Sequence, residues 1–165
     1  MTASRPLKKG FTLVEMVVAL TILSILAWSA LPLAKIAVQR EKEVELRRNL
    51  RLIREAIDAY KKLADEKKIE VKEEEEAGYP PTLGVLVKGV EIQGQDRQSQ
   101  GKSKDKKIVR FLRRIPLDPM TDSTEWGLRS YQDDRDTDKW GKENVYDVYT
   151  KSQAKALDGT YYRDW

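Results

Sequence analysis

The sequence predicts an α+β protein in which one long N-terminal helix packs against a small antiparallel sheet. Residues 11–34 form an apolar segment of 24 residues in which Glu15 is the single charged residue. Apolar residues at helical spacing continue through residues 46–64, which extends the helix and gives it a buried face. Residues 126–132 and 144–150, rich in aromatic and β-branched residues, are the best strand candidates.

The composition limits the chemistry available to this chain. Of its 165 residues, about 100 remain for a soluble head, which fits one small domain. The chain contains no cysteine and no histidine, which excludes disulfides and thiolate nucleophiles and removes the commonest general base and transition-metal ligand. The remaining carboxylates, lysines, serines and tyrosines form no grouping that suggests an active site. We therefore expect no enzymatic activity.

The positive charge of the chain does not indicate nucleic-acid binding. The net charge is +4, and three of the basic residues, Arg5, Lys8 and Lys9, lie in the first ten residues, which contain no acid. The rest of the chain therefore carries about +1, which is a poor electrostatic match for a nucleic acid.

The apolar segment 11–34 is long enough to cross the roughly 30 Å hydrocarbon core of a bilayer as a helix. Lys8 and Lys9 precede it, and the positive-inside rule places such residues in the cytoplasm, so the chain after about Ala34 is expected on the far side. Glu15 lies near the start of the segment. A carboxylate there costs on the order of a few kcal/mol and usually has a partner.

The first 35 residues allow two general interpretations. A cleaved secretory signal would use the small residues around Ala27 and Ser29, but apolar cores of signal peptides run about 7 to 15 residues and tolerate acids poorly. An uncleaved single-span anchor accounts for the length and the charges, but it assigns no purpose to Glu15.

A third interpretation rests on the residues KKGFTLVEMVVALTIL, at positions 8–23. They strongly resemble the cleavage and methylation motif of type IV pilins and of type II secretion pseudopilins. The resemblance implies that a prepilin peptidase cuts between Gly10 and Phe11 and that the same enzyme methylates the new amine of Phe11. It also implies that Glu15 of one subunit faces the amine of its neighbour in a filament and fixes the axial stagger.

The motif and the helical pattern together predict the organisation of the chain. Residues 1–10 would be the cleaved leader, 11–34 the transmembrane and assembly helix, 35–64 its amphipathic half, and 65–165 a periplasmic head with a variable loop at 93–107. Pro32 is expected to kink or loosen the helix. The residues predicted to form its buried stripe are Leu46, Leu50, Ile53, Ile57, Tyr60 and Ala64.

The head extends the resemblance towards the major pseudopilins of type II secretion. The segments that carry it are YPPTLGVLVKG, FLRRIPLDPMTDSTEWGLRSY and ENVYDVYTKSQAKALDG. A short second helix is expected over residues 83–90, after the breaker and cap at 79–82. Pro116 and Pro119 restrict the chain, and Asp118 can cap its own backbone in the turn between them.

Calcium is the cofactor to consider, because the resembling pseudopilins hold a calcium ion in a C-terminal loop. Ser152 and Asp158 fall near the corresponding stretch, although the acidic ending of that family is replaced here by ALDGTYYRDW. A second candidate group is the run Asp133, Asp134, Asp136 and Asp138, since calcium takes six to eight oxygen ligands. We favour the alternative that this run is a solvated acidic turn, partly neutralised by Arg135.

These observations predict a structural subunit of a membrane-anchored filament. The resemblance implies a type II secretion pseudopilus that drives protein export across the outer membrane. The expected partners are further copies of the chain, minor pseudopilins, the prepilin peptidase, an inner-membrane platform protein and an assembly ATPase. The expected location is the inner membrane, single-pass, with a cytoplasmic N-terminus and a periplasmic head and filament.

Two alternatives stay open at the sequence level. A type IV pilin used for adhesion, motility or DNA uptake shares the N-terminal motif, although many such pilins close the C-terminal region with a disulfide that this chain lacks. A membrane-anchored periplasmic binding or enzymatic domain is the alternative of another class.

Overall fold

A computed structural model describes residues 10–69, 77–92, 107–134, 137 and 139–165, and of residues 29–33 it describes the backbone alone. Most of the predicted variable loop, residues 93–106, lies outside the described residues. Helix α1 spans Leu13–Asp65, a length of 53 residues. The chain divides into two compact units, Met1–Arg40 and Glu41–Trp165, so α1 contributes to both.

In the first unit, helix α1 exposes the apolar side chains of the predicted assembly segment. Phe11, Leu13 and Trp28 are 75%, 80% and 80% exposed. Within the part of the chain that the structure describes, no helix meets both the length and the apolarity that crossing a membrane requires.

In the second unit, helix α1 supplies one face of the hydrophobic core. The predicted stripe is confirmed, because Leu46, Leu50, Ile53, Ile57 and Tyr60 are all buried and Ala64 packs against them. Residues from the head complete this core, among them Leu86, Trp126, Val145 and Val148. Burying an apolar side chain of this size stabilises the fold by about 1.5–3 kcal/mol relative to leaving it exposed.

Helix α1 ends in a Schellman motif. The N–H of Lys68 donates to the carbonyl of Leu63 at 3.0 Å, and the N–H of Lys67 donates to the carbonyl of Ala64 at 2.9 Å. Lys67 adopts the left-handed conformation with φ of 55°. Ile69, which follows the motif, is buried in the core.

The short second helix leads directly into the first strand, which pairs with the second strand. Helix α2 spans Leu83–Lys88, close to the predicted 83–90, and Gly89 follows it with φ of 87°. Strand β1, Val90–Ile92, pairs antiparallel with strand β2, Lys107–Val109, with Val90 opposite Val109. A Cβ atom at Gly89 would lie 2.6 Å from the carbonyl oxygen of Val109, so the close approach of β2 requires glycine at this position.

The two predicted strand segments pair with each other. Strand β3 spans Gly127–Arg129 and strand β4 spans Asp147–Tyr149, antiparallel, with Leu128 opposite Val148. The ring of Tyr149 lies over Gly127, where a Cβ atom would come within 2.4 Å of it. A 3₁₀ turn, Tyr162–Asp164, places the buried Tyr162 in the core.

The predicted α+β class is confirmed: a long N-terminal helix combines with small antiparallel sheets, an architecture consistent with a pilin-like fold. Among the described residues the four strands form two separate pairs rather than one continuous sheet.

Candidate functional site at the start of helix α1

Helix α1 begins immediately after the residues predicted for processing. The hydroxyl oxygen of Thr12 accepts a hydrogen bond from the N–H of Glu15 at 3.2 Å, and the Thr12 carbonyl accepts one from Met16 at 3.1 Å. Thr12 is therefore the N-cap of the helix, and Glu15 is the third helical residue. The spacing Thr-x-x-Glu is the sequence signature of a capping box, so this role of Thr12, which the sequence analysis missed, was readable from the chain.

Gly10 and Phe11 lie before the cap, outside the helix, and both are exposed. Among the described residues, and leaving aside its neighbours in the chain, no atom lies within 4 Å of the position that a Cβ atom would occupy at Gly10. The fold therefore leaves the Gly10–Phe11 peptide bond accessible and does not itself require glycine at position 10. A requirement for glycine at this position would therefore come from another protein that recognises the Gly10–Phe11 bond.

Glu15 lies in the first turn of helix α1 and is exposed. Its negative charge is favourable at that position, because the helix dipole places partial positive charge at the N-terminus. Phe11 precedes the N-cap and lies outside the helix, so helical periodicity does not determine where its main chain lies relative to Glu15.

The polar side chains that follow Glu15 in this segment are satisfied within the helix. The hydroxyl of Thr21 donates to the carbonyl of Val17 at 2.8 Å, and the hydroxyl of Ser24 donates to the carbonyl of Leu20 at 2.7 Å. Such bonds to the preceding turn let hydroxyls enter an apolar environment without an unpaired donor. Of the charged and hydroxyl side chains between residues 13 and 28, Glu15 is thus the one whose side chain has no hydrogen-bond partner in the helix.

Some predicted site residues cannot be placed in the same detail. Lys8 and Lys9, the predicted leader charges, lie outside the described residues. Position 32 falls within helix α1, but the side chain of Pro32 is outside the described part, so the predicted kink stays a prediction.

In the head, Arg54 joins helix α1 to strand β4 and to the C-terminal segment. Its guanidinium donates to the Asp147 carboxylate at 2.7 and 3.3 Å, to the Val148 carbonyl at 3.2 Å and to the main-chain oxygen of Trp165 at 2.8 Å. Arg47 lies over the ring of Trp165, 4.1 Å from its centroid. These contacts hold the strand and the C-terminal segment against one side of the helix.

The first calcium candidates lie in a C-terminal loop that is organised by its own hydrogen bonds. One carboxylate oxygen of Asp158 accepts from the N–H and the hydroxyl of Thr160 at 3.0 and 2.6 Å, and the other faces Arg47 at 3.7 Å. The Thr160 hydrogen bonds, with the nearby Arg47 charge, hold the pKa of Asp158 below its ordinary value. The hydroxyl of Ser152 accepts from the N–H of Ala154 at 3.3 Å.

The second calcium candidates are only partly described. Asp133 accepts from the N–H groups of Ser130 and Gly141 at 2.7 and 3.1 Å, so its carboxylate closes the loop between strands β3 and β4. Asp134 is exposed, and Asp136 and Asp138 lie outside the described residues. No group of three or more acidic side chains that could hold a metal ion occurs among the residues that the structure describes. The calcium prediction stays a prediction.

Comparison with known proteins bears on the N-terminal segment alone. Residues 5–31 match the family model of the prokaryotic N-terminal methylation motif. Neither the curated proteins nor the solved structures gave a match to the chain. The matched range contains the Gly10–Phe11 bond, the Thr12 cap and Glu15, and it supports a type IV pilin-like or pseudopilin role without distinguishing between the two.

Proposed function

We propose that this protein is a structural subunit of a type II secretion pseudopilus, anchored in the inner membrane through residues 11–34. The observation that carries the proposal is the arrangement at the start of helix α1. An accessible Gly10–Phe11 bond lies directly before a capped helix whose apolar side chains between Leu13 and Trp28 are exposed, and it falls within the matched methylation motif. Contiguous apolar surface of this extent marks an interaction with lipid or with protein.

Processing would change the chemistry of this end. Hydrolysis after Gly10 would create a cationic amine on Phe11, and Thr12 would still cap the helix. In an apolar environment a charged group persists only when it is paired, and the carboxylate of Glu15, the single charged side chain of residues 13–28, has no partner within the helix. The Phe11 amine of one subunit and Glu15 of the next would then satisfy each other and fix the axial position of the two helices.

The remaining parts of the proposal follow from the resemblance. A prepilin peptidase would remove the leader and methylate Phe11, and a cytoplasmic ATPase acting through a platform protein would drive assembly. That drive is needed because lipid is as apolar as a neighbouring helix, so association within a bilayer gains little from the hydrophobic effect. The head would lie in the periplasm, and the growing filament would move folded proteins through the outer membrane.

Intact-mass analysis of the native protein tests processing. We expect a chain that begins at Phe11 and carries one methyl group on its amine. Gly10→Val should keep the full leader while leaving the head unchanged, because the site of the new side chain is open. Retention of Met1 in the native protein, or a start beyond residue 34, would overturn the proposal.

A Glu15 variant tests assembly. Glu15→Val should be processed and inserted but absent from filaments, because the neighbour's amine is left unpaired; losing one partner of such a pair typically costs about 3–5 kcal/mol. Thr21→Val is the matched control, since its hydroxyl is satisfied by its own helix and should be dispensable. Filaments can be sheared from cells and quantified by immunoblot. Normal incorporation of Glu15→Val would remove Glu15 from the mechanism.

Deletion of the gene separates secretion from the pilin alternative. The proposal predicts that folded exoproteins accumulate in the periplasm while adhesion, motility and DNA uptake are unchanged. The opposite outcome would assign the chain to a type IV pilus. An unassembled head that binds a small molecule would instead favour the membrane-anchored binding domain.

A further inference from the structure

An open cleft of about 390 Å³ lies in the second unit, between helix α1 and the C-terminal segment. The helix lines it with charged side chains, those of Arg47, Arg51, Arg54, Glu55 and Asp58. Leu50 and Trp165 add apolar surface. Ligand sites commonly have volumes of about 300–1,000 Å³, so this space is large enough for a small ligand or for the end of a chain. We call it the charged cleft.

The charges of the charged cleft are ordered along the helix axis. Its three arginines lie within positions 47–54, and its two acids follow at 55 and 58. A helix rises about 1.5 Å per residue, which places Glu55 about 6 Å and Asp58 about 10.5 Å beyond Arg51. Arg51 and Asp58 are seven residues apart and differ in rotation by about 20°, so they lie on the same side of the helix. The cleft is therefore positive at one end and negative at the other.

Two of the three arginines are already held by the head. Arg47 faces Asp158 at 3.7 Å, and Arg54 donates to Asp147 and to two main-chain oxygens. Among the residues that the structure describes, the guanidinium of Arg51 has neither a hydrogen bond nor an ion pair. Arg51 is also exposed, so its planar set of N–H donors is available for a carboxylate.

The negative end of the charged cleft is unpaired as well. Within the described part of the chain, the carboxylates of Glu55 and Asp58 accept no hydrogen bond and form no ion pair. Arg51 and Glu55 have the spacing of an ion pair between successive turns, but such a pair contributes only about 0.2–0.5 kcal/mol, and the structure does not form it. A ligand that bridges the two ends would therefore displace little.

We propose that the charged cleft binds an elongated zwitterion, with its carboxylate at Arg51 and its ammonium group at Glu55 and Asp58. A lysine with a free carboxylate carries these two charges at the ends of an extended stem, about 7 Å apart. This separation lies between the axial distances of about 6 and 10.5 Å that join Arg51 to the two acids. The methylene groups of the stem would lie against the apolar surface of Leu50 and Trp165.

Shorter or singly charged ligands match this arrangement less well. Glycine carries its two charges on neighbouring atoms, too close together to reach from Arg51 to Asp58. A simple anion would meet two carboxylates, and a simple cation would leave the guanidinium unpaired. The required chemistry has two sources, a polypeptide that ends in lysine and a free ω-amino acid such as ε-aminocaproate.

This proposal goes beyond the proposed function and does not depend on it. The charged cleft is formed by residues of the second unit, whereas Gly10, Phe11 and Glu15, proposed for processing and assembly, belong to the first. Binding and filament assembly can therefore be measured separately.

Fluorescence anisotropy tests the proposal with the full chain in mild detergent. The probe is the peptide Gly-Ala-Ala-Lys, with a dye on its amino end and a free carboxylate. We expect saturable binding and competition by ε-aminocaproate. The same peptide with a carboxamide end, and a peptide that ends in alanine, should each bind at least about tenfold more weakly, because each lacks one of the two charges.

Substitutions in the charged cleft provide the second test. Arg51→Gln, and Glu55→Gln with Asp58→Asn, should each weaken binding of the probe by about tenfold or more. All three positions are exposed, so the melting temperature of the head should not change. Arg113→Gln and Asp122→Asn are the matched controls, since they remove the same charges at exposed positions that do not line the cleft.

The outcomes decide both the site and the source of its ligand. Tighter binding of the peptide than of ε-aminocaproate would support the site and assign it to a chain end, and the reverse order would support it and assign it to a free ω-amino acid. Equal binding of the carboxamide peptide, an unchanged affinity in Arg51→Gln, or no binding at millimolar concentration would overturn the proposal. Binding by a chain that keeps its leader would support the charged cleft and remove the filament function.

Discussion

At the scale of single residues, Asp118 shows how one buried carboxylate fixes a turn of the head. It is fully buried, and its oxygens accept from the N–H of Met120 at 2.9 Å and from the hydroxyls of Thr121 and Thr150 at 3.0 and 2.5 Å. Its own N–H donates to the carbonyl of Ser123 at 2.8 Å. One main-chain N–H and two hydroxyls donate to its carboxylate, so an ionised carboxylate satisfies all three donors at once. The self-capping role predicted for Asp118 is confirmed, and the link to Thr150, just after strand β4, adds to it.

Asp118→Asn should lower the free energy of unfolding by about 1–3 kcal/mol, because an amide nitrogen cannot accept the hydrogen bonds that the carboxylate takes from the hydroxyls of Thr121 and Thr150. Thermal unfolding followed by tryptophan fluorescence would measure this, since Trp126 is buried beside the turn and donates to the Pro116 carbonyl. Asp122→Asn, the same substitution at an exposed position, should change stability by less than about 0.5 kcal/mol. Equal effects of the two variants would contradict the role of Asp118.

Asp158 predicts a pH dependence of the C-terminal loop. Its pKa is lowered in the folded chain, chiefly by the hydrogen bonds from Thr160. A group of this kind contributes stability above its unfolded pKa and loses that contribution as the pH falls through its folded pKa, here below about pH 4. Carboxyl-carbon NMR should show Asp158 titrating below an unperturbed aspartate, and Thr160→Val should return it towards the ordinary value. An unchanged titration in Thr160→Val would assign the shift to another cause.

The calcium proposal concerns the same carboxylate. An ion bound near Ser152 and Asp158 would have to compete with the Thr160 hydrogen bonds and with Arg47. Because a ligand that binds only the folded state stabilises it, calcium binding here predicts a higher melting temperature in excess calcium than in chelator. The increase should disappear in Asp158→Asn and persist in Asp133→Asn. No increase in the unmodified chain would retire both candidate sites.

At the scale of elements, the C-terminal end of helix α1 is followed by a residue with a strained backbone conformation. The Schellman motif requires a residue in the left-handed conformation, and Lys67 supplies it in place of glycine. A side chain with a Cβ atom is disfavoured there by about 1 kcal/mol. The motif is kept because it satisfies two terminal carbonyls and directs the buried Ile69 towards the core.

Lys67→Gly should therefore raise the free energy of unfolding by up to about 1 kcal/mol, with the larger freedom of glycine in the unfolded chain offsetting part of the gain. Lys67→Ala separates the conformational effect from the loss of charge, and it should leave stability nearly unchanged, because alanine keeps the Cβ atom. Urea unfolding of both variants provides the comparison. A destabilised Lys67→Gly would show that the lysine side chain itself stabilises this turn.

One ion pair in helix α1 differs from the pair that helical spacing predicts. The spacing of Arg54 and Asp58 suggests an ion pair between successive turns. Arg54 instead reaches across to Asp147 of strand β4, more than ninety positions away, where it gains main-chain acceptors as well. Local spacing describes an isolated helix, whereas a carboxylate and two carbonyls presented by the docked head offer a planar guanidinium a better site.

At the scale of the whole molecule, the predictable features were those with a periodic or local signal. The buried stripe from Leu46 to Ala64 followed from helical spacing, and the β3–β4 pair followed from two aromatic segments. Strands β1 and β2 were not predicted: they contain no aromatic residue, and the sequence analysis assigned Val90 to the second helix and Lys107 to the variable loop. At the candidate site, the motif identified Gly10, Phe11 and Glu15, while the accessibility of the Gly10–Phe11 bond required coordinates. The β1–β2 pair and the accessibility of this bond depend on contacts between residues that are distant in the sequence, and not on local sequence preferences.

The division into two units predicts that the second one folds alone. The buried core residues of the described chain all lie at position 46 or later, whereas residues 11–28 are exposed. A chain that starts at Glu41 keeps the whole core, the Arg54 contacts and the Asp118 turn, so it should be monomeric and soluble and should unfold in one cooperative transition. The full-length chain should require detergent, because its exposed apolar surface would otherwise associate.

Size-exclusion chromatography and thermal unfolding of the shortened chain would check this, with Trp126 reporting on the core. Its melting temperature should match that of the full chain in mild detergent, since none of the described side chains before Glu41 is buried. A substantially lower value would mean that residues before Glu41 stabilise the head. The same shortened chain should fail to enter filaments, because it lacks the apolar segment 11–34 and Glu15, through which the proposed assembly occurs.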